Sequence, residues 1–278
     1  MILRTLVVAS SVMVFASTAW SGFVTFESAG VNPAAITLTR DAFRMAVGGG
    51  TVGGANGSFG GQRREIDWDG VPNGQSDPNA LAADFFNVTS PRGVVFSTPG
   101  TGFLVSANTG ASSSPPTLFG YSTDFQAFSA QKLFTSVNSN ITDILFFVPG
   151  TSISATTSAF AAIFVDVEEA NRTTIQFFDE NGLSSFTLNA SVAGNRGLSF
   201  AGAVAAGGER ISRVRITAGR SAFAPNGLLE SSTQELVVMD DFLFAEPQQT
   251  VPEPSSLALV AVALVGCLAG FRRRRPAG

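Results

Sequence analysis

Thr174-Ile175-Gln176-Phe177-Phe178-Asp179-Glu180-Asn181-Gly182-Leu183-Ser184-Ser185-Phe186-Thr187-Leu188 is the stretch whose pattern decides the fold. Ile175 and Phe177 alternate with Thr174 and Gln176 before the turn, and Phe186 and Leu188 alternate with Ser185 and Thr187 after it. A period of two built from β-branched and aromatic residues marks a half-buried strand. Asn181-Gly182 can take the positive φ angles of a hairpin turn, so the two strands are expected to pair antiparallel.

The same grammar runs outward in both directions. Val214 and Ile216 alternate with Arg213 and Arg215, a strand with one wet face. Strands are expected over residues 23–27, 43–47, 94–98, 103–107, 141–148, 160–167, 174–179, 184–189, 198–204, 211–217 and 236–245. Gly, Pro, Asn and Ser punctuate them. Only residues 78–87, with Ala80-Leu81-Ala82-Ala83-Asp84-Phe85-Phe86, read as a short helix. No long amphipathic helix is expected before residue 257, and no repeat of fixed period is present. The fold class is therefore all-β, as a two-sheet antiparallel sandwich of jelly-roll-like type.

The two ends follow different rules. Arg4, the apolar run of residues 6–16 and the small residues Ser17-Thr18-Ala19 or Ala19-Trp20-Ser21 have the three parts of a secretory signal peptide, assigned to residues 1–21. At the other end stand Val251-Pro252-Glu253-Pro254-Ser255, an uncharged run from Leu257 to Phe271, and Arg272-Arg273-Arg274-Arg275. Without water, such a run satisfies its backbone only as a helix, of about 22 Å here. Four following arginines hold its far end in the cytoplasm by the positive-inside rule. This tail resembles the PEP-CTERM sorting signal of Gram-negative bacteria. The resemblance implies processing by an exosortase that reads Pro252, Glu253 and Pro254, with Arg272, Arg273, Arg274 and Arg275 completing the signal over residues 251–278. Membrane contact through the tail helix would then precede cleavage.

Residues 22–250 remain as the extracytoplasmic domain. They carry 12 basic against 20 acidic residues, a formal charge of −8, so nucleic acid is not an expected partner. The chain has no histidine, and its one cysteine, Cys267, lies in the tail. Those absences exclude Ser-His-Asp and Cys-His chemistry, histidine-ligated metals and disulfide staples. Stability has to come from an apolar core, for which most of the 25 phenylalanines are available.

Carboxylates are what remains for chemistry. In Arg64-Glu65-Ile66-Asp67-Trp68-Asp69-Gly70-Val71-Pro72-Asn73-Gly74, oxygen ligands from Asp67, Asp69, Asn73 and Asp77 are a candidate calcium set, although the spacing departs from an EF-hand. The competing reading is an acidic turn with Trp68 folded onto the sandwich. Glu27 on the first strand and Asp240 or Asp241 on the last are a second candidate set for a structural calcium. On a regular strand Asp240 and Asp241 face opposite ways, so one at most is expected to turn toward such a site. Asp166, Glu168 and Glu169 follow a central strand. Gly48-Gly49-Gly50-Thr51-Val52-Gly53 has dinucleotide-loop spacing but no helix after it, and reads as a surface loop.

Residues 161–179 and the ending Val237-Val238-Met239-Asp240-Asp241-Phe242-Leu243-Phe244 resemble late strands of galactose-binding-like modules. Three function classes are compatible with these observations. One is an exported, non-enzymatic structural or adhesive protein of the cell surface or an exopolysaccharide matrix. Another is a carbohydrate-binding module, for which Trp68 and Tyr121 are the only Trp and Tyr of the domain. The third is a glycoside hydrolase with paired carboxylates.

Overall fold

In the computed structural model, which describes residues 22–51, 57–60, 63–107, 117–224 and 234–249, the stretch at 174–188 is a hairpin. Its strands β8 (Thr174–Phe178) and β9 (Ser184–Asn189) pair antiparallel from Thr174 opposite Asn189 to Phe177 opposite Phe186. The turn uses Asp179 Oδ1, which accepts from the Asn181 and Leu183 amides at 2.9 and 2.8 Å, and only Gly182 takes a positive φ, of 75°. The expected signal peptide and sorting tail lie outside the described residues.

The remaining strands are β1 (Phe23–Gly30), β2 (Arg63–Ile66), β3 (Val94–Ser97), β4 (Gly102–Val105), β5 (Phe134–Val137), β6 (Ile141–Phe146), β7 (Ala159–Val165), β10 (Leu198–Ala205), β11 (Arg213–Thr217) and β12 (Val238–Ala245). One sheet runs β1-β10-β7-β12-β5-β4, with β2 also on β12, and the other runs β3-β6-β11-β8-β9. All named pairings are antiparallel, as expected for a two-sheet sandwich. From β6 onward the chain steps between sheets with nearly every strand, the β8–β9 hairpin being the exception. The expected strands missed β2 and β5, which are four residues each and carry little periodic signal.

Phe96, Phe134, Phe160, Phe177, Phe242 and Phe244 fill the space between the sheets. The outer face of the five-stranded sheet is wet, as the alternation at Arg213 and Arg215 requires. There both guanidiniums bond Asp143 at 2.8 Å. The larger sheet is covered on both faces, so β7 and β12 are buried along their whole length.

The second cover includes a helix where a strand was expected. Residues 43–47, expected as a strand, belong to helix α1 (Pro33–Val47). Asn32 Oδ1 accepts from the Ala35 amide at 3.3 Å, Pro33 sits in the first turn, and Gly48 ends the helix at a φ of 77°. Ile36 and Phe43, one heptad apart, are its buried side chains, and Phe43 meets Phe26 and Phe200 edge-on at 5.6 and 5.8 Å. The expected helix at 78–87 shrinks to the single turn α2 (Phe85–Val88). No helix among the described residues is long and apolar enough to cross a membrane.

Candidate functional site

Two acids inside β12, a strand buried along its whole length, need an account, because charge without a partner is not tolerated there. β12 pairs with β7 as Val238 to Val165 and Met239 to Phe164, then resumes with Phe242 to Ala162. Asp240 and Asp241 together therefore oppose the single residue Ile163, which is a β-bulge. The extra residue resets the alternation. Met239 and Phe242 both face the space between the sheets, whereas Val238 and Leu243 face the outer layer. The two carboxyls consequently meet on the outer side and hydrogen-bond each other. This overturns the expectation that they point to opposite faces.

Asp240 is fully buried. Its Oδ2 accepts from the Phe128 amide at 2.6 Å and its Oδ1 from the Ser129 hydroxyl at 3.0 Å. Burial, and next the charge of Asp241, push the Asp240 carboxyl well above the usual carboxylate range; burial raises Asp241 as well. Two carboxyls this close titrate as a pair rather than singly. The effect of the pair is to pin the segment 126–132 onto the outer face of the large sheet.

On the inner side of the same bulge lies Trp68, at a positive φ of 66° and 1% exposed. Its ring stacks on Phe134 at 4.1 Å, and its Nε1 donates to the Asp240 carbonyl at 2.7 Å. Trp68 is thus folded onto the sandwich, in agreement with the acidic-turn reading. The flanking acids diverge: Asp67 is exposed, while Asp69 Oδ1 accepts from the Lys132 amide at 3.1 Å. Lys132 is itself fully buried, its ammonium donating to Ser76 Oγ at 2.9 Å and to the Val71 carbonyl, and burial lowers its pKa.

The calcium set expected from Glu27 with Asp240 or Asp241 is not brought together. Glu27 is exposed on the edge strand β1 opposite Ala201, and β10 and β7 lie between β1 and β12, a separation of about 14 Å at ordinary strand spacing. Asp67, Asp69, Asn73 and Asp77 do not assemble either. Among the described residues no group of three His, Cys, Asp or Glu side chains is placed to hold a metal. Asp166, at a φ of 75°, accepts from the Arg196 amide at 2.6 Å.

Beside the pinned segment is a cavity of about 460 Å³ lined by Thr117, Leu118, residues 126–131 and Arg196. None of these residues was singled out from the sequence, since they sit in irregular loops without periodicity. The legible clue was indirect: two acids in an otherwise apolar strand must be answered by donors from elsewhere, here Phe128 and Ser129.

Residues 250–275 match the family model of the PEP-CTERM protein-sorting motif. That match includes Pro252, Glu253, Pro254 and Arg272 to Arg275, and the chain is accordingly an exosortase-sorted exported protein with a C-terminal membrane-anchoring tail. No curated protein and no solved structure matches the chain, so the likeness to galactose-binding-like modules rests on the strand pattern alone.

Proposed function

We propose that this chain is a non-enzymatic structural or adhesive protein, delivered by its sorting tail to the cell surface or an exopolysaccharide matrix of a Gram-negative bacterium. The observation that carries this reading is the sorting motif at 250–275, which begins five residues after β12 closes the large sheet at Ala245. The sandwich is thereby presented on the outer side of the membrane while the motif remains in reach of the processing protease.

The state of the paired acids supports a binding or structural role over hydrolysis. Glycoside hydrolysis by two carboxylates requires them about 5 to 9.5 Å apart across a cleft. Asp240 and Asp241 are instead bonded to one another and buried beneath Phe128 and Ser129.

The test is fractionation of cells carrying an N-terminal epitope after the signal segment. Glu253→Ala, or neutral residues at Arg272 to Arg275, should leave export intact and trap the uncleaved precursor in the membrane. Unchanged processing in both variants refutes sorting by this tail. Normal processing of the wild type with no surface or matrix-associated product refutes the destination.

A further inference from the structure

The cavity beside Ser129 combines groups that neither the sorting tail nor the core requires. Arg196 is exposed on its rim, and among the described residues its guanidinium has no carboxylate partner. Several other arginines of the domain do have one, as Arg40 with Asp41 at 2.8 Å or Arg220 with Glu169, while Arg92 and Arg210 donate to carbonyls and hydroxyls. Among the described residues no acidic one lines the cavity, although the domain around it is acidic.

The remaining lining is polar on one side and apolar on the other. Gln126 Nε2 donates to the Val31 carbonyl at 2.9 Å and to the Arg196 carbonyl, so both amide hydrogens are engaged and Oε1 is left to accept from a ligand hydroxyl. Ser129, Gln131 and Thr117 add further hydrogen-bonding groups, and Leu118 and Phe128 supply the apolar side. Phe128 is fixed twice, by its amide on Asp240 and by the Arg40 guanidinium 4.9 Å from its ring centroid. Leu118, Gln131 and Arg196 hold positive φ angles of 51°, 116° and 60°, so three of the domain's left-handed non-glycine residues converge on one cavity. Backbone strain of this kind collects where a ligand is clamped.

We propose that this cavity binds a carboxylate-bearing sugar, a hexuronate unit, with Arg196 on the carboxylate, Gln126 on a ring hydroxyl, and Phe128 with Leu118 against the apolar face of the ring. Its volume lies within the range of about 300 to 1,000 Å³ usual for small-molecule sites. A guanidinium matches a carboxylate in a planar, two-point fashion. Among the described residues Arg196 is the one cation that lines the cavity, Arg40 on the Phe128 ring being paired with Asp41, and a lone lining guanidinium suits one negative charge better than the two of a phosphate. The proposal rests on the reading above only for the place where the protein would meet such a sugar.

The experiment titrates the detergent-solubilised full chain with glucuronate and digalacturonate by calorimetry, beside glucose, methyl glucuronate ester, acetate and inorganic phosphate. The acids should bind saturably and about tenfold or more tighter than glucose or the ester, a difference of about 1.4 kcal/mol. Arg196→Gln, which keeps the backbone contacts of Arg196 to Asp166 and Gln126, should abolish that preference and leave ester binding unchanged. Equal binding of acid and ester overturns the proposal, as does displacement by acetate or phosphate at equal concentration, or undiminished uronate binding by a folded Arg196→Gln protein. If that variant does not fold, the acid-against-ester comparison on the wild type decides alone. Correct tail processing without uronate binding removes only this site, and uronate binding without processing removes only the sorting.

Discussion

The indole nitrogen of Trp68 donates to the main-chain carbonyl of Asp240 at 2.7 Å, joining the loop after β2 to the bulge of β12. A carbonyl freed from its ladder by a bulge needs another donor when buried. The same indole stacks flat on Phe134, with 2° between the ring planes, and meets Phe86 and Phe242 edge-on. Trp68→Phe removes both the donor and part of the ring, and should cost about 2 to 4 kcal/mol. Urea denaturation followed by circular dichroism checks it; a loss under 1 kcal/mol would mean that the bulge carbonyl finds water or relaxes.

The raised titration of Asp240 and Asp241 makes a signed prediction for pH. Both folded-state values are raised, so between the unfolded carboxylate value near 4 and the folded values the native protein holds more protons than the unfolded chain. Stability from this pair is present below about pH 4 and is lost as pH rises through the folded values. Asp240→Asn replaces a carboxyl that burial pushes up with a permanently neutral amide, whose N–H can donate to Asp241. The variant should melt at least about 2–4 °C higher than wild type near neutral pH, and its melting temperature should depend less on pH across the acid range. A variant destabilised at pH 7 would show that the carboxylate form of Asp240 is the one the fold requires.

A buried ion pair anchors the other end of β2. Arg64 and Glu246 are both fully buried in their side chains and joined at 2.5 Å; Glu246 also accepts from the Phe59 amide at 2.7 Å, and Arg64 donates to Pro91 O and Gly57 O at 3.2 and 3.1 Å. Desolvation makes such a pair a poor net source of stability, yet removal of one partner strands the other charge. Arg64→Met should therefore cost about 3 to 5 kcal/mol, whereas Arg64→Met with Glu246→Leu should recover a clear part of that loss. Equal stability of the single and double variants in urea would mean that Glu246 is accommodated without its arginine.

How much of this was legible in sequence depends on whether local pattern or a distant contact sets the structure. The β8–β9 hairpin was readable because alternation and the Asp179 to Gly182 turn lie within fifteen residues. Helix α1 carried its own signals in Asn32-Pro33 and Gly48, but Met45 and Leu38 are exposed, which blurs the apolar stripe and makes residues 43–47 resemble a strand. Trp68 could be placed on the core from its size alone. The Asp240–Asp241 geometry could not be read, since one inserted residue against Ile163 inverts the parity of the strand, and nothing local announces it. The cavity was equally hidden, because Gln126, Phe128 and Arg196 are brought together only by folding.

Calcium separates two ways of neutralising the acids of β12. If a cation held them, Glu27 would have to reach Asp240, and melting should rise with calcium and lose that response in Glu27→Gln. The strand order places β10 and β7 between those residues, and the Asp240 oxygens are already engaged by Phe128, Ser129 and Asp241. Protonation of the pair is therefore the expected alternative to an ion. Wild type and Glu27→Gln should melt alike, in millimolar calcium and in EDTA, whereas lowering the pH toward 5 should stabilise the wild type relative to Asp240→Asn. A calcium-dependent rise in melting temperature that disappears in Asp240→Asn would establish a cation at the bulge and displace the proton from this account.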